Sequence, residues 1–260
     1  MTSKVISIAN QKGGVGKTTT SINLSACLAL VGNRTLLLDL DPQANATSGV
    51  GVEKLEGGSS YRPLLGEENL LTKIRQTSFE RLELIPSEVD MCGAEIEIAQ
   101  MDDHLHRLKT ILQPVRDQKQ YDFIVIDCPP SLGILTLNAF AASDFLVIPL
   151  QCEYYALEGI SMSQRVLNQV RSNGINPHLT LLGVVMTMFD MRTRLSAQVA
   201  SEVRDHFGKI VFDTVIPRST RLAEAPSFGK PIVHYDKYNA GAAAYEVLTQ
   251  ELLERVRSQN

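Results

Sequence analysis

The sequence has no basic surplus: 25 lysines and arginines stand against 29 acids, a formal net charge of −4. The chain as a whole is therefore not a strongly basic nucleic-acid binder. Cysteine is sparse. Cys27, Cys92, Cys128 and Cys152 are far apart, with no C-x-x-C pair and no Cys/His cluster. That spacing does not indicate a metal centre, and reduced, scattered thiols fit the cytoplasm. No uninterrupted apolar run approaches the about 20 residues needed to span a bilayer. A glycine-rich loop begins almost at once, so no signal peptide is expected ahead of it. No Pro/Ser-rich linker, charge block, internal repeat or low-complexity tract divides the chain. Its 260 residues, 44% hydrophobic, are read as a single domain, 1–260. Gly57-Gly58-Ser59-Ser60 reads as a mobile surface loop.

What is present begins with Gln11-Lys12-Gly13-Gly14-Val15-Gly16-Lys17-Thr18-Thr19. It follows the apolar run Val5–Ala9, a buried-strand pattern. It precedes a helical pattern carrying Ile22, Leu24, Cys27, Leu28 and Val31. A glycine-rich turn between strand and helix aims backbone N–H groups and a helix N-terminus at one point, which is a phosphate site. Lys17 supplies positive charge for the β/γ-phosphates, and the Thr18 hydroxyl suits Mg²⁺. This is a P-loop with one departure. The usual first glycine is Gln11, and a second lysine, Lys12, stands inside the loop.

Further apolar runs cover Arg34–Leu40, Asp122–Asp127, Phe145–Leu150, Leu181–Thr187 and Val211–Ile216. Helical patterns lie between them, including Glu158–Arg171 and Leu195–Phe207. Continuous rather than alternating apolar strands imply a sheet covered on both faces. The expected fold class is α/β, a mostly parallel twisted sheet with helices on both sides. Ligands bind beyond the carboxyl ends of such strands. The P-loop, Asp41 and Asp127 should converge there. One helix is expected from about Met91 to Leu112, ended by Pro114.

Asp127 closes a strand and precedes Cys128-Pro129-Pro130-Ser131. An aspartate in that place is the usual second Mg²⁺ anchor of P-loop nucleotidases. Asp39 and Asp41 are read as facing opposite ways at a strand end and so dividing their roles. Asp41, before Pro42, is placed to orient an attacking water. Asp39 is placed for the Mg²⁺ shell or, equally, for holding the loop.

Five segments together resemble one family. They are Lys12–Thr19, Asp39-Leu-Asp-Pro-Gln-Ala-Asn45, Asp127-Cys-Pro-Pro-Ser131, Glu153-Tyr-Tyr-Ala-Leu-Glu-Gly159 and Ile216-Pro-Arg-Ser-Thr-Arg-Leu-Ala-Glu-Ala-Pro-Ser227. The chain is similar to the ParA/Soj partitioning ATPases of the deviant Walker A (MinD/ParA) superfamily. The loop alone marks the superfamily, and the last two segments narrow it.

The resemblance implies an ATP-dependent homodimer, with Lys12 reaching the partner's phosphates. Lys17 matches the cis phosphate lysine, Thr18 the Mg²⁺ ligand and Asp41 the residue needed for hydrolysis. Pro217 and Ser219 fall in the segment that contacts adenine. Arg192 and Arg221 match arginines that bind double-stranded DNA without sequence preference, and Arg218 is grouped with them. From Asp190 to Lys230 there are seven bases against five acids, so that segment is +2 and the remainder −6. Phosphate contacts of this kind need no base readout. The implied cycle is a weak, Mg²⁺-dependent ATPase. Its ATP dimer holds nucleoid DNA, and a ParB-type centromere-binding protein releases it by stimulating hydrolysis. The chain reads as the short form, without an N-terminal helix-turn-helix domain.

Three other readings compete, and one of them, a nucleotide-binding scaffold that never turns over, is opposed by the intact Asp41 and Asp127. A MinD-like membrane ATPase needs a basic amphipathic C-terminal helix. Here Tyr245, Leu248, Leu252 and Val256 share one face, while Glu246, Glu251 and Glu254 crowd the polar side, so core packing is expected and no membrane partner. An iron–sulfur reductase needs paired cysteines at a dimer axis, a setting that Cys128 and Cys152 lack.

Overall fold

The computed structural model describes residues 3–153 and 156–259. The first half runs β1 (Lys4–Ile8), α1 (Lys17–Leu30), β2 (Thr35–Asp39), α2 (Asn45–Gly49), α3 (Tyr61–Leu65), β3 (Arg75–Gln76), β4 (Leu82–Ile85), α4 (Met91–Ile98) and α5 (Arg107–Asp117). Next come β5 (Phe123–Asp127), α6 (Ile134–Ala142), β6 (Phe145–Gln151), α7 (Ala156–Ser172) and β7 (Thr180–Phe189). The last part holds α8 (Arg194–Phe207), β8 (Val211–Pro217), α9 (Thr220–Glu224), α10 (Ile232–Tyr235) and α11 (Ala240–Ser258).

The strands form one eight-stranded sheet in the order β3-β4-β2-β5-β1-β6-β7-β8. The pairs from β4 across to β8 are parallel, and β3 pairs antiparallel with β4 at the edge. Strand alternation divides the core in two. Val5, Leu36, Leu38, Ile124 and Ile126 face one side, under α4, α5, α6, α7 and α8. Ile6, Ile8, Leu37 and Val125 face the other, under α1 and α11. On α11, Tyr245, Leu248, Leu252 and Val256 are all buried in this second core. Each buried aliphatic side chain is worth roughly 1.5–3 kcal/mol, so the face is committed to the sheet. No helix among the described residues is long and apolar enough to cross a membrane.

Two expectations fail. The helix expected over Met91–Leu112 is two helices, α4 and α5, and Pro114 lies inside α5 without ending it. The break is stabilised from outside. Buried Asn138 on α6 donates to the His104 carbonyl (2.7 Å) and accepts from Leu108 N–H (3.1 Å). A tertiary partner thus satisfies groups that a continuous helix would have paired. Pro114 removes one backbone donor from a helix that packs through Leu108, Leu112 and Val115, so packing carries it past the proline. Gly57–Ser60, expected as a mobile surface loop, is largely buried. Ser59 and Ser60 are buried, and the Glu88 carboxylate accepts from Gly57 N–H, Ser59 N–H and the Ser59 hydroxyl.

Candidate nucleotide site and the neighbouring arginines

The loop after β1 takes its shape from two left-handed glycines, Gly14 (φ 74°) and Gly16 (φ 83°). Side-chain-bearing residues rarely hold that conformation. Gly16 caps the N-terminus of α1. Asn10 anchors the loop's start: its amide donates to the Pro149 carbonyl (2.7 Å), and its oxygen accepts from Lys12 N–H (3.0 Å). The Thr187 hydroxyl donates to the Val15 carbonyl (2.9 Å) from the far side.

The two lysines part here. Lys17 is buried, and its ammonium donates to the Lys12 carbonyl (3.0 Å) inside the loop. Burial lowers its pKa, while Asp127, Cys128 and Asp41 pull it back up. Lys12 points the other way. Its Nζ lies 3.1 Å from Glu153 Oε2, and both side chains are half exposed.

Three carboxylates gather at the ends of β2 and β5. Asp127 is fully buried, and its Oδ1 accepts from the Ser21 hydroxyl (2.8 Å) on α1. Its Oδ2 is buried without a hydrogen-bond partner among the described residues. Burial, with Asp39 close by, pushes its pKa up, and the Ser21 and Thr18 hydroxyls offset part of that rise. An unpartnered buried carboxylate oxygen beside a threonine hydroxyl fits a divalent cation.

Asp39 and Asp41 do not face apart. Residues two apart on a strand share a face, and Asp39 Oδ1 accepts from Asp41 N–H (3.1 Å). They differ in occupancy instead. Asp39 Oδ2 accepts from Thr47 N–H and the Thr47 hydroxyl, each at 2.8 Å. Burial pushes the Asp39 carboxyl up, with the Thr47 hydrogen bonds acting against it. Asp41 is buried but lines the open cavity of the loop.

Two adjoining cavities share Gly16, Thr19 and Met188. One, of about 320 Å³, is lined by Gly13, Gly14, Lys17, Thr18, Asp41 and Pro130. The other, of about 220 Å³, is lined by Thr187, Pro217, Arg218, Ser219, Leu222 and Tyr245. A polar cradle opening into a more apolar pocket suits a nucleotide's phosphates and base. The Ser219 hydroxyl is already engaged. It caps α9 by accepting from Leu222 N–H (3.4 Å) and bonds Asn239 Oδ1 (3.1 Å). Sequence reasoning missed Met188, which joins the cavities with φ 53°. A methionine within the apolar run that closes β7 carries no signal for that role. Gln43 and Asn45 also line the cradle; their position two and four residues past Asp41 was the available signal.

The arginines stand beyond the ends of β7 and β8. The Arg192 guanidinium grips Asp190 through Nε–Oδ1 (2.9 Å) and Nη2–Oδ2 (2.8 Å). Arg218 N–H donates to the Phe189 carbonyl (2.9 Å), which sets it beside that pair. Arg221 is separate. It contacts Glu224 (3.1 Å), Asp236 (3.8 Å) and the Tyr235 ring. Tyr154 and Tyr155 lie outside the described residues, as does the Glu158 side chain. Cys128 and Cys152 are buried in the first core.

The P-loop at the centre of a mostly parallel sheet, with its second lysine turned outward, defines a P-loop nucleotidase of the deviant Walker A class. A family model described as an AAA domain matches residues 3–181. The chain is 51% identical over 252 residues to the sporulation initiation inhibitor protein Soj of Bacillus subtilis, covering 96% of this chain and 98% of that protein. It is 48% identical over 253 residues to the chromosome partitioning protein ParA of Myxococcus xanthus, covering 97% and 88%. Among solved structures, it is similar to cobyrinic acid a,c-diamide synthase from Mycobacterium smegmatis with bound ATP analog and magnesium. There the TM-score is 0.84, with 34% identity over 99% of this chain and 97% of that one. The chain belongs to the ParA/Soj family of chromosome-partitioning P-loop ATPases.

Proposed function

We propose that this chain is the ATP-gated DNA-binding switch of a partition system, acting as one domain over residues 1–260. ATP and Mg²⁺ hold two copies face to face, and the dimer binds double-stranded DNA without sequence preference. A ParB-type centromere-binding protein stimulates hydrolysis, and the separated subunits let go. The working place is the nucleoid within the cytoplasm, with no membrane partner.

The observation that carries this reading is the division of the lysines. Lys17 lies within its own cradle, whereas Lys12 stands at the rim, paired with Glu153. A cation outside its own site is available to phosphates presented by a second copy. Charge neutralised only across an interface makes the nucleotide the adhesive of the dimer.

The roles follow. Residues 13–19 present backbone N–H groups to the β/γ-phosphates, and Lys17 adds charge in cis. Thr18 and Asp127 hold Mg²⁺, which shields phosphate charge. Asp39 supports that shell indirectly, because both its oxygens already accept hydrogen bonds. Asp41 orients the attacking water. Pro217 and Ser219 border the base. Arg192, Arg218 and Arg221 face DNA phosphates. The test is binding to a random-sequence duplex with no nucleotide, with ADP, and with ATP plus Mg²⁺. Binding in the last state alone, lost at high salt, is expected. Equal absence in all three states refutes the reading.

A further inference from the structure

A surface outside the nucleotide site combines apolar exposure with charge of one sign. From Glu88 to Asp103 the sequence has six acids and no lysine or arginine; Glu88 is buried and bonded to Gly57 and Ser59, whereas Asp90, Glu97, Asp102 and Asp103 are exposed. On α4, Met91, Ala94 and Ile98 are buried in the core. Its outer face carries Val89 (73% exposed), Cys92 and Ile96 (67% exposed). Their spacing of three and four residues puts them on one stripe. The turn bonds Met91 N–H to the Glu88 carbonyl and Cys92 N–H to the Val89 carbonyl, which extends the helical path back to Val89.

Beside the stripe lies a groove of about 350 Å³. Leu55, itself 52% exposed, and Glu56 form one wall, and Val89 and Asp90 the other. Its floor is Pro42 and Ala44, immediately past Asp41. Ala44 is held at φ 52°, a strained setting for a non-glycine residue. The base on the wall, Lys54, is engaged by the Gln43 carbonyl (2.7 Å). α4 also touches the segment that follows Asp127: a Cβ on Gly133 would collide with the Glu95 carboxylate. This face therefore contacts both strand-end segments of the nucleotide site.

We infer that Leu55, Val89, Cys92 and Ile96 form the docking surface for a basic amphipathic segment of the ParB-type partner, and that seating it stimulates hydrolysis through the Pro42–Ala44 floor. The inference rests on the partner reading above. Charge selects the occupant: an apolar stripe rimmed by acids attracts a segment of lysines, arginines and aliphatic residues, and repels an acidic one.

The test uses the full chain and the ParB-type protein of the same organism. Ile96→Ser and Val89→Ser are solvent-facing, so folding and basal turnover stay as in wild type. Each should raise the partner concentration for half-maximal stimulation about tenfold. Glu56→Lys should act in the same direction. Cys92 supplies a footprint, because Cys27, Cys128 and Cys152 are buried. With ATP present, the partner should protect Cys92 from maleimide. Stimulation that survives unchanged in both serine variants overturns the inference alone. So does a loss traced to weaker ATP-dependent dimerisation, which would make the occupant a second copy. Wild-type turnover that ignores the partner defeats the partner reading and this surface together.

Discussion

Replacing Asp190 by asparagine should tighten DNA binding. Arg192 is 84% exposed, yet its guanidinium is held by both oxygens of Asp190. The two hydrogen bonds neutralise the cation where a DNA phosphate would use it. The grip does not loosen with ordinary changes in pH. Hydrogen bonds from the Arg192 side chain and backbone pull the Asp190 carboxyl down to about 2. A depressed acid contributes its stabilisation above its unfolded value and loses it only as pH falls through the folded one. The pair is therefore intact at every pH where the protein would be assayed, and substitution is the way to open it. The Asp190→Asn change keeps the shape of the side chain and removes its charge. Exposed ion pairs are weak, so the gain is bounded at about two- to fivefold per subunit. A dimer presents the site twice, so the apparent affinity should rise by about four- to twenty-five-fold. Two arginines freed for phosphate contact should also steepen the log–log salt dependence by about two units. Fluorescence anisotropy with a random-sequence duplex, ATP and Mg²⁺, over a salt series, measures both. Turnover and dimerisation serve as controls. Unchanged affinity and slope, with those controls unmoved, would refute the placement of Arg192 at the DNA face.

Other substitutions probe the remaining parts. Asp41→Ala should keep ATP binding and dimerisation and abolish hydrolysis; phosphate release that persists under saturating ATP would remove Asp41 from its role. Arg221→Ala should weaken DNA binding evenly across sequences and flatten the salt slope by about one unit per lost phosphate contact, and a loss confined to one sequence would contradict nonspecific binding. Gly16→Ala forces a left-handed φ of 83° on a residue with a Cβ, costing about 1–2 kcal/mol. It should raise the Kd for ATP in calorimetry, whereas wild-type affinity would show the loop is not the phosphate cradle. Asp127→Asn relieves a buried carboxylate oxygen that lacks a partner. It should raise the melting temperature of nucleotide-free protein by a few degrees and erase the effect of Mg²⁺ on nucleotide affinity; a variant that melts lower and still responds to Mg²⁺ would contradict the metal assignment.

The parts legible in the sequence are those fixed by local chemistry. Left-handed turns demand glycine at Gly14 and Gly16, and buried parallel strands demand runs such as Phe123–Asp127, so loop, sheet and strand-end carboxylates all announce themselves. Tertiary partners hide the rest. Asn138 gives no sign in the sequence that it will split α4 from α5, because its work is done on His104 and Leu108 some thirty residues earlier. Glycine and serine at 57–60 have loop composition, yet one distant carboxylate, Glu88, fixes and buries them. Arg192 and Arg221 are plain as charges, but their pairing with Asp190 and Glu224 is set by rotamer and backbone. The opposite facing expected of Asp39 and Asp41 fails on local geometry alone, because residues two apart in an extended run lie on one face. Their spacing gave the shared face, and it is the hydrogen bonds from Thr47, eight residues past Asp39, that make Asp39 a support and leave Asp41 open to the cavity. Under the proposed roles the two neighbours divide by what each is already bonded to, Asp41 accepting from Gln43 N–H through Oδ1 (3.0 Å) while Asp39 is engaged through both oxygens, and that is a property of the fold rather than of the residue type.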